Sequence, residues 1–230
     1  MRKDKVLSEC ADVSEGKGHV NGVTTLLFDW DGTLVDSAMS SFLTFQKALA
    51  ECGVEFTWDQ FAAHFTTDWH RMYEAVGLHQ SRFLEADRVW KKCYPCVEYH
   101  AVAGAHETLS ELRNRGYRLG VVTSGSRWRL KDEVEDFGLS GFFDVMICNE
   151  DVERKKPHPE GLLKAASLLS CNCNCCAYVG DVPEDILAGK EAGMFTVGVS
   201  SQYPTSRKLD EVQPQLRIES ISDLLTHFRR

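Results

Sequence analysis

Short apolar runs typical of buried strands alternate with helix-like periodicity in the second half of the chain. After Gly104, the runs predicted as strands are Leu119–Thr123, Val145–Cys148, Ala177–Gly180 and Phe195–Val199. Between them, apolar positions recur three or four residues apart, as on one face of a helix. A closing helix is predicted on Ile221, Leu224, Leu225 and Phe228. This alternation predicts a parallel sheet with helices on both faces.

The first half of the chain shows a different pattern. One strand is predicted over Val23 to Phe28, and no strand pattern interrupts residues 37–93. Four helices are predicted there. The first carries Phe42, Phe45 and Leu49, and the second begins at the capping-box pattern Thr57-Trp58-Asp59-Gln60. The other two are predicted over Asp68–Val76 and Arg82–Cys93. We expect an α/β fold whose doubly wound, Rossmann-like parallel-sheet core spans 23–36 and 103–230. An all-helical cap is expected over 37–102, and residues 1–22 are expected to form a mobile tail.

Composition narrows the class of protein. The 230 residues are 43% hydrophobic and 26% charged, with a formal net charge of −8. An acidic chain argues against a nucleic-acid or membrane partner. No apolar run approaches the roughly 18 residues of a membrane helix, and no signal-peptide pattern opens the chain. We therefore expect a cytoplasmic protein, as a monomer or homodimer, whose partner is a small molecule.

The nine cysteines cannot all pair with one another, because their number is odd. We expect reduced thiols. Cys93 and Cys96 have a C-x-x-C spacing, and four more cysteines crowd residues 171–176. Structural thiols are the favoured interpretation, and zinc binding or redox regulation is the alternative.

Polar clusters follow four of the predicted strands. They are Asp29 with Asp31, then Thr123-Ser124-Gly125, then Lys156, then Asp181 with Asp185. Ligands of doubly wound sheets bind beyond the carboxyl ends of the strands. One pocket can therefore collect all four clusters.

Each cluster has a chemical and a structural interpretation. Asp29 and Asp31 are two carboxylates that repel each other, which raises the pKa of one and suits a nucleophile beside a proton-carrying acid/base. Asp181 and Asp185 offer hard oxygen ligands for Mg²⁺. The alternatives are a solvated turn for the first pair and helix capping for the second.

The remaining two clusters fit an anionic ligand. Thr123, Ser124 and Gly125 precede a helix, where free N–H groups and a hydroxyl can bind phosphate. Lys156 can neutralise that phosphate. The alternatives are a helix cap for the first and a solvated surface lysine for the second.

Together these motifs resemble those of the haloacid dehalogenase-like hydrolase superfamily. They are Asp29-Trp30-Asp31-Gly32-Thr33, Thr123 in VVTSGS, Lys156-Pro157, and Gly180-Asp181 with Asp185. The resemblance covers about residues 23–230 and is nearest to the phosphoglycolate phosphatase-like branch. It implies a Mg²⁺-dependent phosphatase of a small phosphorylated metabolite, such as a phosphoglycolate-like compound or a sugar phosphate.

The resemblance also implies roles for single residues. Asp29 would attack phosphorus, and Asp31 would protonate the leaving oxygen and then activate water. Thr123 and Lys156 would hold the phosphoryl oxygens. The metal would lie on Asp29, the backbone carbonyl of Asp31 and Asp181, with Asp185 orienting its waters. The cap would close over the site and exclude water, with hinges near 34–37 and 101–104.

Other branches and functions stay open as alternatives. Dehalogenases of the superfamily lack an acid where Asp31 stands. A β-phosphoglucomutase-type mutase would carry a cap histidine where this chain has Ser41. A non-catalytic phospholigand-binding protein would not need both carboxylates.

The cap is expected to select the substrate. Arg71 is its candidate phosphate or carboxylate clamp, with an exposed helix arginine as the alternative. Its tryptophans Trp58, Trp69 and Trp90 are assigned to the core of the cap rather than to a stacking platform.

Overall fold

The structure is a computed structural model that describes residues 19–230. Most of the tail expected over residues 1–22 lies outside the described residues. Val20 lies within them, and it is packed: its side chain is buried, and its backbone N–H donates to the carbonyl oxygen of His227 at 3.0 Å.

Six parallel strands form the central sheet, which confirms the predicted α/β class. In chain order they are β1 (Thr25–Phe28), β4 (Arg118–Val122), β5 (Val145–Ile147), β6 (Cys176–Gly180), β7 (Phe195–Val199) and β8 (Leu216–Ile218). In the sheet their order is β5-β4-β1-β6-β7-β8. The chain reverses direction across the sheet beside β1, so the ends of β1, β4 and β6 meet at one edge.

Strand β1 is central because it is buried on both faces, and three of its four residues are apolar. Phe28 is in register with Val121 of β4 on one side and with Val179 of β6 on the other. The helices that cover this core are α5 (Ala105–Asn114), α6 (Arg127–Asp136), α7 (Glu160–Leu168), α8 (Pro183–Glu191) and α9 (Leu224–His227).

A second helical group lies between two short strands. Strands β2 (Val35–Asp36) and β3 (His100–Ala101) pair antiparallel. Between them come α1 (Ala38–Glu51), α2 (Trp58–His64), α3 (Trp69–Ala75) and α4 (Phe83–Cys93). The capping box predicted at Thr57 and Gln60 is present at the start of α2. The division of the chain at residues 37 and 102 stays a prediction.

The cap helices have their own aromatic core. Phe42, Phe45, Phe56 and Phe61 are buried in it, with ring centroids of neighbouring pairs 5.8 to 6.5 Å apart. Tyr203 from the loop after β7 packs on Phe65 with a centroid distance of 4.6 Å. The cap therefore rests directly on the carboxyl edge of the sheet. Among the described helices, none combines the length and apolar character that a membrane span requires.

Candidate active site

Asp29 lies immediately after β1, at the carboxyl edge of the sheet. Its backbone N–H donates to the carbonyl oxygen of Val179 at 2.8 Å, which continues the β1–β6 ladder by one residue. Asp29 is buried with only 5% of its surface exposed. Thr123 follows β4 and Asp181 follows β6, so the three residues stand at the ends of three adjacent strands.

Lys156 reaches this edge from the loop before α7. Its Nζ lies 2.7 Å from Oδ1 of Asp29, 2.6 Å from Oδ1 of Asp185 and 3.1 Å from the hydroxyl of Tyr178. Burial would lower the pKa of the Lys156 amine, but the carboxylates of Asp185 and Asp29 raise it well above its ordinary value. Lys156 is therefore a fixed, buried positive charge and not the solvated surface lysine of the alternative interpretation.

Three buried carboxylates converge beside that lysine. Asp29, Asp181 and Asp185 each present an oxygen within 4.8 Å of the others. Among residues 19–230, this is the single group of histidine, cysteine or acidic side chains arranged to hold a metal ion. Burial, with the charges of Asp185 and Asp29, raises the pKa of Asp181 well above its ordinary value. A hard divalent cation fits here, because the donors are all oxygens and one ammonium group cannot balance three carboxylates.

The backbone is shaped to bring these carboxylates together. Gly32 has φ +81°, and a Cβ there would lie 2.1 Å from Oδ2 of Asp181. A Cβ on Gly180 would lie 2.3 Å from Cβ of Asp185. Asp181 is held by the hydroxyls of Thr33 at 3.2 Å and Ser201 at 2.6 Å. The two glycines therefore leave room for the acidic side chains.

Asp31 lines the same cavity but is held by its own partners. Its Oδ1 accepts from Nη1 of Arg129 at 2.8 Å and from the Ser37 hydroxyl at 2.6 Å, and Nη2 of Arg129 donates to Oδ2. Arg129 is itself buried and also contacts Glu133 and the hydroxyl of Tyr94. The carboxylate of Asp31 is outside the metal-binding cluster, so only its backbone carbonyl stays a candidate ligand.

The protonation pattern differs from the expected one. Burial raises the pKa of Asp29 to about 7, against the opposing effect of Lys156 and with the help of Asp185. Burial would also raise the pKa of Asp31, but the Arg129 guanidinium and the Ser37 hydroxyl lower it below its ordinary value. The nucleophile candidate, not the acid/base candidate, therefore has the raised pKa. A bound divalent cation would lower the pKa of Asp29 again.

Thr123, Ser124 and Gly125 form the loop between β4 and α6, and parts of this loop have structural roles. That the loop binds phosphate stays a prediction. The Thr123 oxygen accepts from the N–H of Gly125 at 2.9 Å, which leaves the hydroxyl proton to donate. The Ser124 hydroxyl is buried without a hydrogen-bond partner among the described residues. A Cβ on Gly125 would lie 2.3 Å from Nη2 of Arg129, so this glycine makes room for the guanidinium. At the start of α6, the N–H of Arg127 is already bonded to Glu150.

The structure does not bring Arg71 to this site. Its side chain is 77% exposed and pairs with Asp68 at 3.4 Å. Trp58, Trp69 and Trp90 pack against the cap core as predicted, and Trp69 and Trp90 also line a cavity at the carboxyl edge of the sheet. That cavity has a volume of about 230 Å³ and is lined by residues of both core and cap. Thr67 of the cap closes one side, since its hydroxyl donates to the carbonyl oxygen of Lys156 at 3.2 Å.

Sequence reasoning missed Arg129, Tyr178 and Ser201. Tyr178 and Ser201 carry no local signal, because one is a strand residue and the other a loop serine. Arg129 has a weak one: it stands four residues before Glu133, and both are buried on the inner face of α6. The cysteines form no disulfide among the described residues.

Comparison with known proteins places this arrangement in a family. The family model described as haloacid dehalogenase-like hydrolase matches residues 26–199. Pyrophosphatase PpaX of Bacillus cereus is 38% identical over 207 residues, which are 88% of this chain and 95% of that protein. Phosphoglycolate phosphatase of Aquifex aeolicus is 30% identical over 211 residues, covering 87% of this chain and 94% of the relative.

Solved structures share the fold. A hydrolase from Pseudomonas syringae superposes with a TM-score of 0.78 at 21% identity, covering 89% of this chain and 97% of that one. CbbY from Rhodobacter sphaeroides, in complex with xylulose-(1,5)bisphosphate, gives a TM-score of 0.79 at 19% identity and covers 90% of this chain and all of its own. At these identities the likeness shows the fold alone.

Proposed function

The chain belongs to the haloacid dehalogenase-like hydrolase family and is a phosphatase, and we propose that it hydrolyses small phosphate monoesters with Mg²⁺, by way of a phosphoryl group carried on Asp29. One observation carries the proposal. The carboxylate of Asp29 lines the cavity between core and cap, where Lys156 holds it beside two further buried carboxylates. A separately held aspartate, Asp31, follows two residues later and lines the same cavity.

Asp29 is placed to act as the nucleophile. Its Oδ1 is fixed by Lys156, and Asp29 lines the cavity between core and cap, so this carboxylate can reach a phosphoryl group bound there. Carboxylates form covalent phosphoryl intermediates in other enzymes. The positive charge of Lys156 offsets the charge of both the nucleophile and the phosphoryl oxygens.

Thr123 and Ser124 supply neutral donors for the phosphoryl oxygens. The Thr123 hydroxyl has its proton free, and the buried Ser124 hydroxyl lacks a partner in the described part of the chain. Both residues line the cavity. Buried hydroxyls without partners are costly unless a ligand satisfies them.

Asp31 is placed to move protons. It lines the same cavity as Asp29, and the arginine and serine bonds fix its orientation. In the first step it gives a proton to the leaving oxygen, and in the second it takes one from the attacking water. The lowered pKa of Asp31 favours the second role.

Asp29, Asp181 and Asp185 would hold Mg²⁺, with the Asp31 carbonyl as a further ligand. The ion would draw charge from the phosphoryl oxygens and orient the ester toward Asp29. Asp181 suits this task because two hydroxyls fix its carboxylate, and Asp185 because backbone N–H groups of residues 181 and 182 hold it at 3.2 Å.

Phosphate release from p-nitrophenyl phosphate tests the proposal. We expect release that stops with chelator, returns with Mg²⁺, and falls at least about a thousandfold in Asp29→Asn. The matched control is Asp36→Asn, since Asp36 is exposed on β2 seven residues away. Equal rates for Asp29→Asn and the wild type would overturn the proposal. Replacement of Mg²⁺ by Mn²⁺, Ca²⁺ and Zn²⁺ identifies the working ion.

A further inference from the structure

The wall of the cavity opposite Asp29 is aromatic. The cap contributes five of its rings and α6 a sixth: Phe45, Phe65, Trp69, Tyr73, Trp90 and Trp128. Aromatic walls are not required to hold a phosphoryl group, which the core residues already contact. The aromatic wall therefore indicates the chemistry of the leaving group, the part of the substrate that departs with the ester oxygen.

These rings are held in fixed orientations. Trp90 stacks on Tyr94 with a centroid distance of 4.6 Å and an interplanar angle of 23°, and Arg129 in turn holds the Tyr94 hydroxyl at 2.8 Å. The Trp69 indole nitrogen donates to Oδ1 of Asp87 at 3.1 Å, and Nζ of Lys155 lies 3.6 Å from the ring centroid. Rings fixed in this way present flat faces at little entropic cost to a ligand.

One donor beside this wall lacks a partner. The Trp90 indole nitrogen is buried and makes no hydrogen bond within residues 19–230. Asp87 is different, because Trp69 and His70 contact its two oxygens at 3.1 and 3.0 Å. The wall therefore offers mainly ring faces to a leaving group.

Charge in the same wall is sparse and balanced. Among the described cap residues that line the cavity, Asp87 and Lys91 alone are charged. Lys91 is exposed, and its Nζ lies 5.4 Å from the Trp128 ring centroid. The Arg71 side chain is 77% exposed and does not line the cavity. Lys91 and Lys155 each lie over a tryptophan ring, so a leaving group with a carboxylate or a second phosphate would have to displace one of them from its ring to form an ion pair.

We propose that the preferred substrate is the phosphate monoester of a planar, uncharged aromatic ring, an aryl or arylmethyl phosphate, with the ring packed against the aromatic wall that includes Trp90. The inference rests on the proposed phosphatase activity at Asp29 and names its substrate class. The volume agrees with a single ring: an apolar cavity of about 150 Å³ binds benzene, and this one has about 230 Å³.

The reaction consumes one water. The bond between phosphorus and the ester oxygen breaks as Asp29 bonds to phosphorus, and its electron pair stays on that oxygen. The oxygen takes a proton from Asp31 and leaves as the aromatic alcohol. Water then bonds to phosphorus and releases Asp29, and Asp31 regains its proton from that water, leaving inorganic phosphate.

A matched pair of esters isolates the ring. Benzyl phosphate and cyclohexylmethyl phosphate release alcohols of the same type, and they differ in whether the ring is flat and aromatic. We expect kcat/KM about five- to tenfold higher for benzyl phosphate, which is the worth of one or two ring contacts. We expect 2-phosphoglycolate and pyrophosphate to be slower than benzyl phosphate by at least as much.

Substitutions locate the preference in the wall. Trp90→Leu is expected to abolish the benzyl preference mainly through KM, and Trp90→Phe to keep most of it. Leu84→Ala is the control on the same helix, because Leu84 is 68% exposed. Inhibition by inorganic phosphate, which needs only the core residues, is expected to stay unchanged in all three and so reports an intact site.

The outcomes separate this inference from the proposed function. Turnover that depends on Asp29 but shows no benzyl preference, or favours 2-phosphoglycolate, overturns the inference and leaves the phosphatase assignment standing. If no ester is turned over, the phosphatase assignment fails, and calorimetric binding of the two esters to the Asp29→Asn protein still decides the ring preference. Equal affinities there overturn the inference, and tighter benzyl phosphate binding supports it.

Discussion

Arg129 holds Asp31 in a two-pronged ion pair, with Nη1 bonded to Oδ1 at 2.8 Å and Nη2 bonded to Oδ2. Both side chains are part of a buried network that also contains Glu133 and the indole nitrogen of Trp30. This ion pair fixes the orientation of the Asp31 carboxylate. Its cation comes from α6, a helix that the residues around Asp31 do not identify. Asp31 therefore pairs with Arg129, whereas Asp29 pairs with Lys156.

Arg129→Met is expected to slow turnover at least about tenfold and to lower the free energy of unfolding by about 3 kcal/mol, since it leaves the buried Glu133 and the partly buried Asp31 without a cation. Loss of the guanidinium raises the pKa of Asp31. The acid limb of the kcat profile therefore moves to higher pH if Asp31 acts as a base. The control is Arg127→Met, whose side chain is 51% exposed and pairs with Asp151. An unmoved acid limb would contradict a base role for Asp31.

Gly32→Ala is expected to remove Mg²⁺-dependent activity. Its Cβ would lie 2.1 Å from Oδ2 of Asp181 and displace that carboxylate. Gly53→Ala is the matched control, because Gly53 also has a positive φ, +70°, but has no atom within 4 Å of an added Cβ. The control measures backbone strain alone, expected at about 1 kcal/mol or more. Mg²⁺ titration of activity and thermal melts of both variants check this, and equal effects would refute steric control of the metal site.

In metal-free protein, Asp29 is expected to make stability fall with rising pH. The pKa of Asp29 is raised from 3.8 to about 7, so the folded state holds a proton that the unfolded state loses. Stability from this group is complete below about pH 4 and is lost as the pH rises to about 7. Asp29→Asn removes that loss. The free energy of unfolding of the variant is therefore expected to exceed that of the wild type by about 2–4 kcal/mol at pH 7.5 and by close to nothing at pH 4.

Chemical denaturation in chelator at the two pH values measures this difference, with the exposed Asp36→Asn as the control variant. Saturating Mg²⁺ is expected to abolish the advantage of Asp29→Asn, because the cation compensates the ionised carboxylate. A gain that is the same at both pH values would show that Asp29 titrates normally.

The local sequence predicts which side chains gather at the carboxyl edge of the sheet, but not which side chains hold them in place; their catalytic roles stay predictions. Asp29, Thr123 and Asp181 could be predicted because each directly follows an apolar run, and parallel strands bring their carboxyl ends to one edge. Arg129 could not, because its meeting with Asp31 spans 98 residues and depends on how α6 packs. The expected repulsion within the Asp29–Asp31 pair is offset by that arginine, which explains why Asp31 has a lowered pKa.

The same limit applies to the periphery of the fold. Strand β8 is three residues long, too short for a periodic pattern, and it exists because Val197 to Val199 of β7 pair with it in register. The closing helix predicted over Ile221 to Phe228 is instead a 3₁₀ turn followed by the short α9. Trp69 and Trp90 could not be assigned to the cavity, because a tryptophan at helical spacing has the same pattern whether it faces a core or a ligand.

Transfer of the phosphoryl group to Asp29 is tested most directly in the Asp31→Asn protein. p-Nitrophenolate leaves without a proton, so this variant is expected to form the phosphorylated enzyme and hydrolyse it slowly. The reaction is run with Mg²⁺, quenched with acid and digested. The mass of the peptide that contains Asp29 is then measured by mass spectrometry. The account predicts a mass gain of one phosphoryl group on Asp29, together with a burst of nitrophenol of up to one equivalent. Nitrophenol release without a burst and with an unmodified Asp29 peptide would contradict it.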